Sequence, residues 1–289
     1  MRYFYYVHTG HRIGGDRFRR AVAVIKELQK FCDITLLCSD FRVASYAKEL
    51  GVIKSAGIDM VRNIPQIAVH GDKIIFDSDE HNPTMHADMV NFFSTFIRFS
   101  DNINDNRLSN EYLISPYLEG ENILNASIVD DFYFGEFDKD IKIGLFFGDD
   151  DYEKDLLTHK EVFKDLDIEL LMGFYYFLGL ESELTDSFSK IHDSEDYSEF
   201  IASCDILITS SPNAVLESLA SGSKPIYIQR ADYSRDYLEF FRSLNIPVLE
   251  SFEKDKLITI INSVESKNYK QIVNNNKKVI DFIRKALNL

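Results

Sequence analysis

The chain has 289 residues, enough for one large or two medium domains, and an apolar fraction of 45% supports a buried core in each half. Its 32 basic and 47 acidic residues leave a net charge of −15. That balance argues against a surface for nucleic acid or anionic lipid, both of which need basic patches to neutralise phosphates. An anionic ligand must instead be held by a few placed groups. Cys32, Cys38 and Cys204 form an odd set without CxxC spacing, so no disulfide framework or zinc site is implied. The first apolar run is too short for a signal peptide, and no stretch approaches the roughly 20 apolar residues of a membrane span. The expectation is a cytoplasmic protein with no metal and no transmembrane segment.

The chain opens with a strand (Tyr3–Val7), a glycine-containing loop (8–16), a helix (Arg17–Lys30) and a second strand (Ile34–Cys38). Phe18, Ala21, Val22, Ile25 and Leu28 follow helical spacing and define one buried stripe. A helix over Arg42–Leu50 and strands at Gln66–Val69 and Lys73–Phe76 follow. The stretch Asn102 to Asp140 reads as irregular and is the expected crossing between domains, with the boundary at 138/139. The second half starts at the strand Ile141–Phe147 and continues through strands at Ile168–Leu171, Asp205–Thr209 and Pro225–Gln229. Its helices are expected at Tyr197–Ala202, Asn213–Ala220, Tyr233–Leu244, Asp255–Val264 and about Asn268–Ala286. The runs Asp149-Asp150-Asp151 and Asp193 to Glu199 read as solvated faces. Alternation of this kind predicts an α/β protein of two Rossmann-like domains facing across a cleft, with ligands at the carboxyl ends of the strands.

Two loops carry chemistry. In Thr209-Ser210-Ser211-Pro212-Asn213, Ser211 is placed as an N-cap and Pro212 as the first helical residue. Free N–H groups and the helix dipole at such a start suit a phosphate. Ser210 and Asn213 add side-chain hydrogen bonds, and Glu217, one turn on, is placed to accept from ribose hydroxyls. The reading requires that this helix start be open to a ligand. The alternative is a well-capped helix with an exposed glutamate.

The other loop is Gly10-His11-Arg12-Ile13-Gly14-Gly15-Asp16, leading into Arg17-Phe18-Arg19-Arg20. Gly14 and Gly15 permit close backbone approach, and Asp16 can cap the helix. Arg17, Arg19 and Arg20 in a first turn oppose the dipole, so an anionic ligand or facing carboxylates must offset them.

The run Ile13 to Arg20 after a first strand resembles the I-G-x-G-H-x-x-R loop of the UDP-sugar hydrolase of pseudaminic acid biosynthesis. That enzyme groups with spore-coat sugar proteins and the lipid II N-acetylglucosaminyltransferase among GT-B proteins. Asp205 to Ser211, with Glu217, Gly222 and Pro225, resembles the D-x-x-I-x-x-S…E-A…G-x-P motif of their C-terminal domains. Phe76 to Glu80 and Phe147-Gly148-Asp149 match two further family segments in order. The resemblance implies that Ser210, Ser211 and Asn213 hold a diphosphate, Glu217 the ribose, and that Gly14, Gly15, Arg20 and Gly148 complete the nucleotide site. Arg17 stands where the hydrolase has its catalytic histidine, and arginine stays protonated near neutral pH. A base must then come from Asp16, His8 or His11, with Asp77 and Asp79 next, while Arg17 and Arg20 supply positive charge to the leaving diphosphate.

The function implied is glycosyl transfer from a nucleotide sugar, or its hydrolysis, with inversion, in bacterial surface-glycan or nonulosonic acid biosynthesis. A UDP-sugar is the favoured partner, with a sugar or glycan acceptor, and no dedicated cofactor is required. Two alternatives stand beside it. One is a GT-A transferase using Asp77-Ser78-Asp79 on a divalent cation. The other is a nucleotide-sugar-binding protein that has lost catalysis, which the Arg17 replacement favours.

Overall fold

In a computed structural model, residues 1–80, 82–175 and 181–289 are described. The chain divides into two compact units, the first formed by residues 1–10, 17–130 and 274–289, the second by 11–16 and 131–273. The division is not the single cut at 138/139 that the sequence implied. The last helix joins the first unit, because Lys73 Nζ donates to the Leu287 carbonyl and Asn276 Nδ2 donates to the Val129 carbonyl.

The first unit carries β1 (Tyr3–Val7), α1 (Asp16–Leu28, whose first residue groups with the second unit), β2 (Ile34–Cys38), α2 (Phe41–Glu49) and β3 (Ser55–Gly57). It continues with α3 (Ile64–Ile67), β4 (Lys73–Asp77), α4 (Pro83–Phe92), β5 (Thr95–Phe99), β6 (Glu111–Ser115) and β7 (Ile123–Asn125). Its strands pair in the order β3-β2-β1-β4-β5-β6-β7, every pair parallel. β4 and β5 are buried at every position, as a sheet covered on both faces requires. The expected strand at Gln66–Val69 is instead the short helix α3. Pro65 in its first turn presets φ and has no N–H to give a ladder. The stretch expected to be irregular contributes β6 and β7. A charged residue hid the first of these: Glu111 is 1% exposed because Arg98 and His86 bind its carboxylate.

The second unit has β8 (Ile141–Phe146), α5 (Asp155–Thr158), β9 (Glu169–Leu171), α6 (Glu181–Leu184), β10 (Lys190–His192), α7 (Tyr197–Ser203) and β11 (Cys204–Thr209). Then come α8 (Pro212–Ala220), β12 (Lys224–Ile228), α9 (Tyr237–Ser243), β13 (Val248–Leu249) and α10 (Lys254–Ser263). The final helix, α11 (Asn276–Leu287), belongs to the first unit. The sheet order β10-β9-β8-β11-β12-β13, again all parallel, repeats the order of the first six strands of the other sheet. In each sheet the order reverses beside the first strand of the unit, between β1 and β4 and between β8 and β11. Such switch points are where doubly wound sheets place ligands. Among the described residues, no helix is long and apolar enough to cross a membrane.

Asp149, Asp150 and Asp151 are buried, not a solvated face. Each carboxylate has donors: Asp149 takes the Phe174 N–H at 2.8 Å, Asp150 takes Arg230 and Tyr233, and Asp151 takes the N–H groups of Asp155 and Leu156 at the start of α5.

Packing in the second unit is tight enough to test. A Cβ on Gly144 of β8 would meet Cys204 Sγ and lie 2.9 Å from the Phe200 ring. Gly144→Ala should lower stability by about 1–3 kcal/mol, read as a drop in the urea midpoint at constant m-value.

Candidate functional site

The carboxyl edge of the second sheet gathers most of the sequence's candidate residues. β11 ends at Thr209, whose Oγ1 accepts the Ser211 N–H at 3.0 Å and sets the turn into α8. Ser211 is the N-cap, with extended φ −84° and ψ 117°, and its Oγ accepts from the Ala214 N–H at 3.0 Å. Pro212 follows inside the helix and has no N–H to satisfy.

The remaining donors at this helix start meet a carboxylate of the same unit. Ser211 Oγ–H donates to Asp16 Oδ1 at 2.7 Å, and the Asn213 N–H donates to Asp16 Oδ2 at 3.2 Å. The expectation of an open helix start is therefore corrected, because Asp16 fills it. So is the role of Asp16 as a free base, since each of its oxygens holds a donor. The contact also shows which chemistry the start of α8 takes: an oxyanion, bound by a hydroxyl and a backbone amide in the field of the helix dipole.

Glu217 is 2% exposed, neither the surface residue of the capped-helix alternative nor an open carboxylate. Tyr197 O–H from α7 donates to Oε2 at 2.5 Å, and Asn213 Nδ2–H donates to Oε1 at 2.7 Å. These bonds fix the carboxylate one turn behind the oxyanion position. They also spend the Asn213 side chain on Glu217.

Three buried polar atoms at this edge lack a hydrogen-bond partner among the described residues: Ser210 Oγ, Tyr227 Oη and Gln229 Oε1. Buried groups of this kind are ordinarily paired, so each marks a place where a partner is due. Ser210 immediately precedes the N-cap. Tyr227 faces Thr209 in the β11–β12 register, and Gln229 follows β12.

Next to them, Arg230 is 1% exposed and is held by Asp150 Oδ1 at 3.0 Å and Asp232 Oδ2 at 2.6 Å, with its guanidinium 4.4 Å from the Tyr233 ring. Burial raises the Asp150 pKa above the usual carboxylate range, against the opposing pull of Arg230 and the Tyr233 hydroxyl. Gly148 takes φ +118°, and a Cβ there would lie 3.1 Å from Asp150 Oδ1 and 3.3 Å from Arg230 Nη1. Gly14 takes φ +79°, with Asp150 Cγ 3.3 Å from where its Cβ would be. The loop of Gly14 and the buried Gly15 thus lies against the Asp150 carboxylate. His11 packs its ring on Tyr175, with centroids 4.8 Å apart.

The remaining candidates sit at the switch point of the first sheet. Arg17 donates through Nη1 and Nη2 to both oxygens of Asp79, at 3.0 and 3.1 Å. Arg20 donates to both oxygens of Asp77, at 2.8 and 2.6 Å, and to Asp101 at 2.7 and 3.0 Å. Facing carboxylates, not a ligand, therefore offset the basic first turn of α1. Burial disfavours the charged form of Arg17, but Asp79, Asp101 and Asp77 outweigh it and raise its pKa. The same pairs occupy both carboxylates of the Asp77-Ser78-Asp79 triplet. His8, which the sequence offered only as one of several bases, is the imidazole oriented here by a carboxylate, with Nδ1 3.1 Å from Asp79 Oδ1. A carboxylate paired with one imidazole nitrogen is the usual arrangement for an acid–base histidine. Proximity in sequence could not reveal the pair, because 71 positions separate the two residues.

No family model matches the sequence, and no curated protein is significantly similar to it. Solved structures are similar in fold. The UDP-GlcNAc 2-epimerase of Methanocaldococcus jannaschii, in complex with UDP-GlcNAc and UDP, aligns over 100% of both chains with a TM-score of 0.67 at 12% identity. The Neisseria meningitidis UDP-GlcNAc 2-epimerase bound to UDP-GlcNAc gives 0.66 at 9% identity, also over 100% of both chains. Anabaena HepE, in complex with UDP and glucose, gives 0.57 at 12% identity over 98% of this chain and 99% of that one. The fold is the GT-B type. Two Rossmann-like domains with matching strand orders are what such a chain is built from.

Two outcomes test the geometry. Ser211→Ala removes the N-cap acceptor and the Asp16 donor together, and should cost about 1–2 kcal/mol in urea unfolding. The His8 hydrogen bond, with Arg17 beside it, holds the Asp79 pKa well below the usual carboxylate range. A depressed folded-state pKa contributes stability that is present above the ordinary aspartate value, about 4, and is lost as pH falls. Wild type should therefore lose more stability between pH 5 and pH 3 than Asp79→Asn does, measured by urea midpoints across that range.

Proposed function

We propose that this chain is an enzyme acting on a nucleotide sugar, with a UDP-sugar favoured, and that its second unit grips the nucleotide diphosphate at the start of α8. The observation that carries the reading is the Asp16 carboxylate held by Ser211 Oγ–H and the Asn213 N–H at the switch point of the second sheet, at a position a diphosphate must take over from it. Complexes of chains with the same fold, two with UDP-GlcNAc and one with UDP and glucose, support it.

In the reaction proposed, a water or acceptor hydroxyl oxygen attacks the anomeric carbon with inversion and gives up its proton to a general base. The bond from that carbon to the β-phosphate oxygen breaks, and its electron pair goes to the departing diphosphate. Helix-start donors aimed at those oxygens stabilise the charge that develops there. A ribose role for Glu217 requires the ligand to reach lone pairs beyond those that Tyr197 and Asn213 already engage on a carboxylate that is 2% exposed. Membership of the pseudaminic acid hydrolase and spore-coat group belongs to the same proposal, as does a place in surface-glycan synthesis.

A catalytically altered binder is the second reading, favoured by Arg17 at the histidine position of the resembled hydrolase and by its commitment to Asp79. Turnover of a bound sugar, with and without acceptor, separates the two.

A thermal-shift series with UDP-, CMP-, GDP- and dTDP-sugars tests the whole reading. A UDP-sugar at 100 times its Kd should add about 2.7 kcal/mol of stability, and Ser211→Ala combined with Glu217→Ala should abolish the shift. No shift with any nucleotide sugar would remove the proposal.

A further inference from the structure

Resting on that reading, we propose that Asp16 is a built-in competitor for the phosphoryl position at α8, and that the Tyr227 hydroxyl is the donor a phosphoryl group gains on replacing it. A carboxylate has two oxygens, and at the start of α8 those of Asp16 accept from Ser211 Oγ–H and the Asn213 N–H. The Tyr227 hydroxyl, on a residue that is 0% exposed, has no partner. Tyr227 pairs with Thr209, the last residue of β11 before the turn into α8, and burial pushes its pKa up, with Asp16 the largest charge contribution. A terminal phosphoryl group brings three acceptor oxygens where the carboxylate brings two. The third oxygen would supply the acceptor that the Tyr227 hydroxyl lacks among the described residues. Ser210 Oγ, also buried and unpartnered, directly precedes the N-cap and marks the same end of α8 as short of an acceptor.

The consequence is selectivity. A tethered carboxylate acts at an effective concentration of order millimolar, so a free monovalent anion does not readily displace it. A ligand with phosphoryl oxygens for Tyr227 and further contacts of its own does. The apparent affinity is reduced by the fraction of molecules in which Asp16 holds the helix start.

Calorimetric titration with UDP, and separately with inorganic phosphate, tests this on wild type, Asp16→Asn, Asp16→Ser and Tyr227→Phe. Asparagine keeps the shape and an acceptor oxygen but loses the charge, and unliganded melting temperatures report whether each variant folds. Asp16→Asn and Asp16→Ser should bind UDP about tenfold more tightly than wild type, the factor for a site that Asp16 occupies about nine-tenths of the time. Tyr227→Phe should bind UDP several-fold more weakly, in the wild-type and Asp16→Asn backgrounds alike. Unchanged or weaker UDP binding in both folded Asp16 variants overturns the competitor. Unchanged UDP affinity in Tyr227→Phe overturns the donor. If phosphate binds Asp16→Asn as tightly as UDP does, the competitor stands and the nucleotide reading fails. If UDP binds none of the proteins, both fail.

Discussion

The start of α8 is where charge, helix geometry and chain connection meet. Ser211 closes the helix from its own side by taking the Ala214 N–H, and with the same oxygen it donates outward to Asp16. Pro212 has no N–H, so the Asn213 amide is the first backbone donor left to face outward. Both outward donors are neutral, and the dipole adds a partial positive charge without adding a cation. A protein carrying a net charge of −15 can build an oxyanion site in this way without a basic patch. The rest of the edge is organised around that choice. Tyr197 and Asn213 hold Glu217 still, and the buried hydroxyls of Ser210 and Tyr227 wait at the ends of neighbouring strands.

Cations are spent elsewhere. Arg17 and Arg20 face Asp77, Asp79 and Asp101, while Arg230 faces Asp150 and Asp232. For the buried partners Asp77 and Asp150, removing one member of the pair leaves a charge without compensation, which is far costlier than the pair is worth. These guanidinium groups are therefore part of the scaffold at each switch point. The acidic triplet after β8 follows the same rule. Three adjacent carboxylates are tolerated in the interior because backbone amides serve Asp149 and Asp151 while a tyrosine and an arginine serve Asp150.

Repetition of one strand order in both sheets ties these details to the fold. In each unit the first strand stands beside a partner reached by a crossover in the opposite direction, so the loops after β1 and β4, and after β8 and β11, splay apart at their carboxyl ends. His8 and Asp79 flank one such point, and Gly148 and Ser211 flank the other. The glycine after β8 is part of this construction, since a side chain on Gly148 would enter the space of Asp150 and Arg230.

Local signals were enough for much of this. The period-3.6 stripe of α1, the Ser-Pro helix start of α8 and the apolar strands β1, β4, β8, β11 and β12 are written in short stretches of residues. They led to two Rossmann-like units before any coordinates. β6 escaped because its burial depends on Glu111 finding Arg98 and His86, and α3 was misread because Pro65 outweighed the apolar residues around it. The site divides along the same line. Ser211 as a cap and Pro212 behind it follow from neighbours in the chain. That Asp16 fills the helix start, 195 positions from Ser211, that Asp79 orients His8, and that the aspartates after β8 are interior follow only from long-range contact. A sequence states which side chains can carry or accept charge. The partner that each one meets is decided by folding, because desolvated carboxylates and guanidinium groups take whichever opposite charge or donor the topology brings within hydrogen-bond distance.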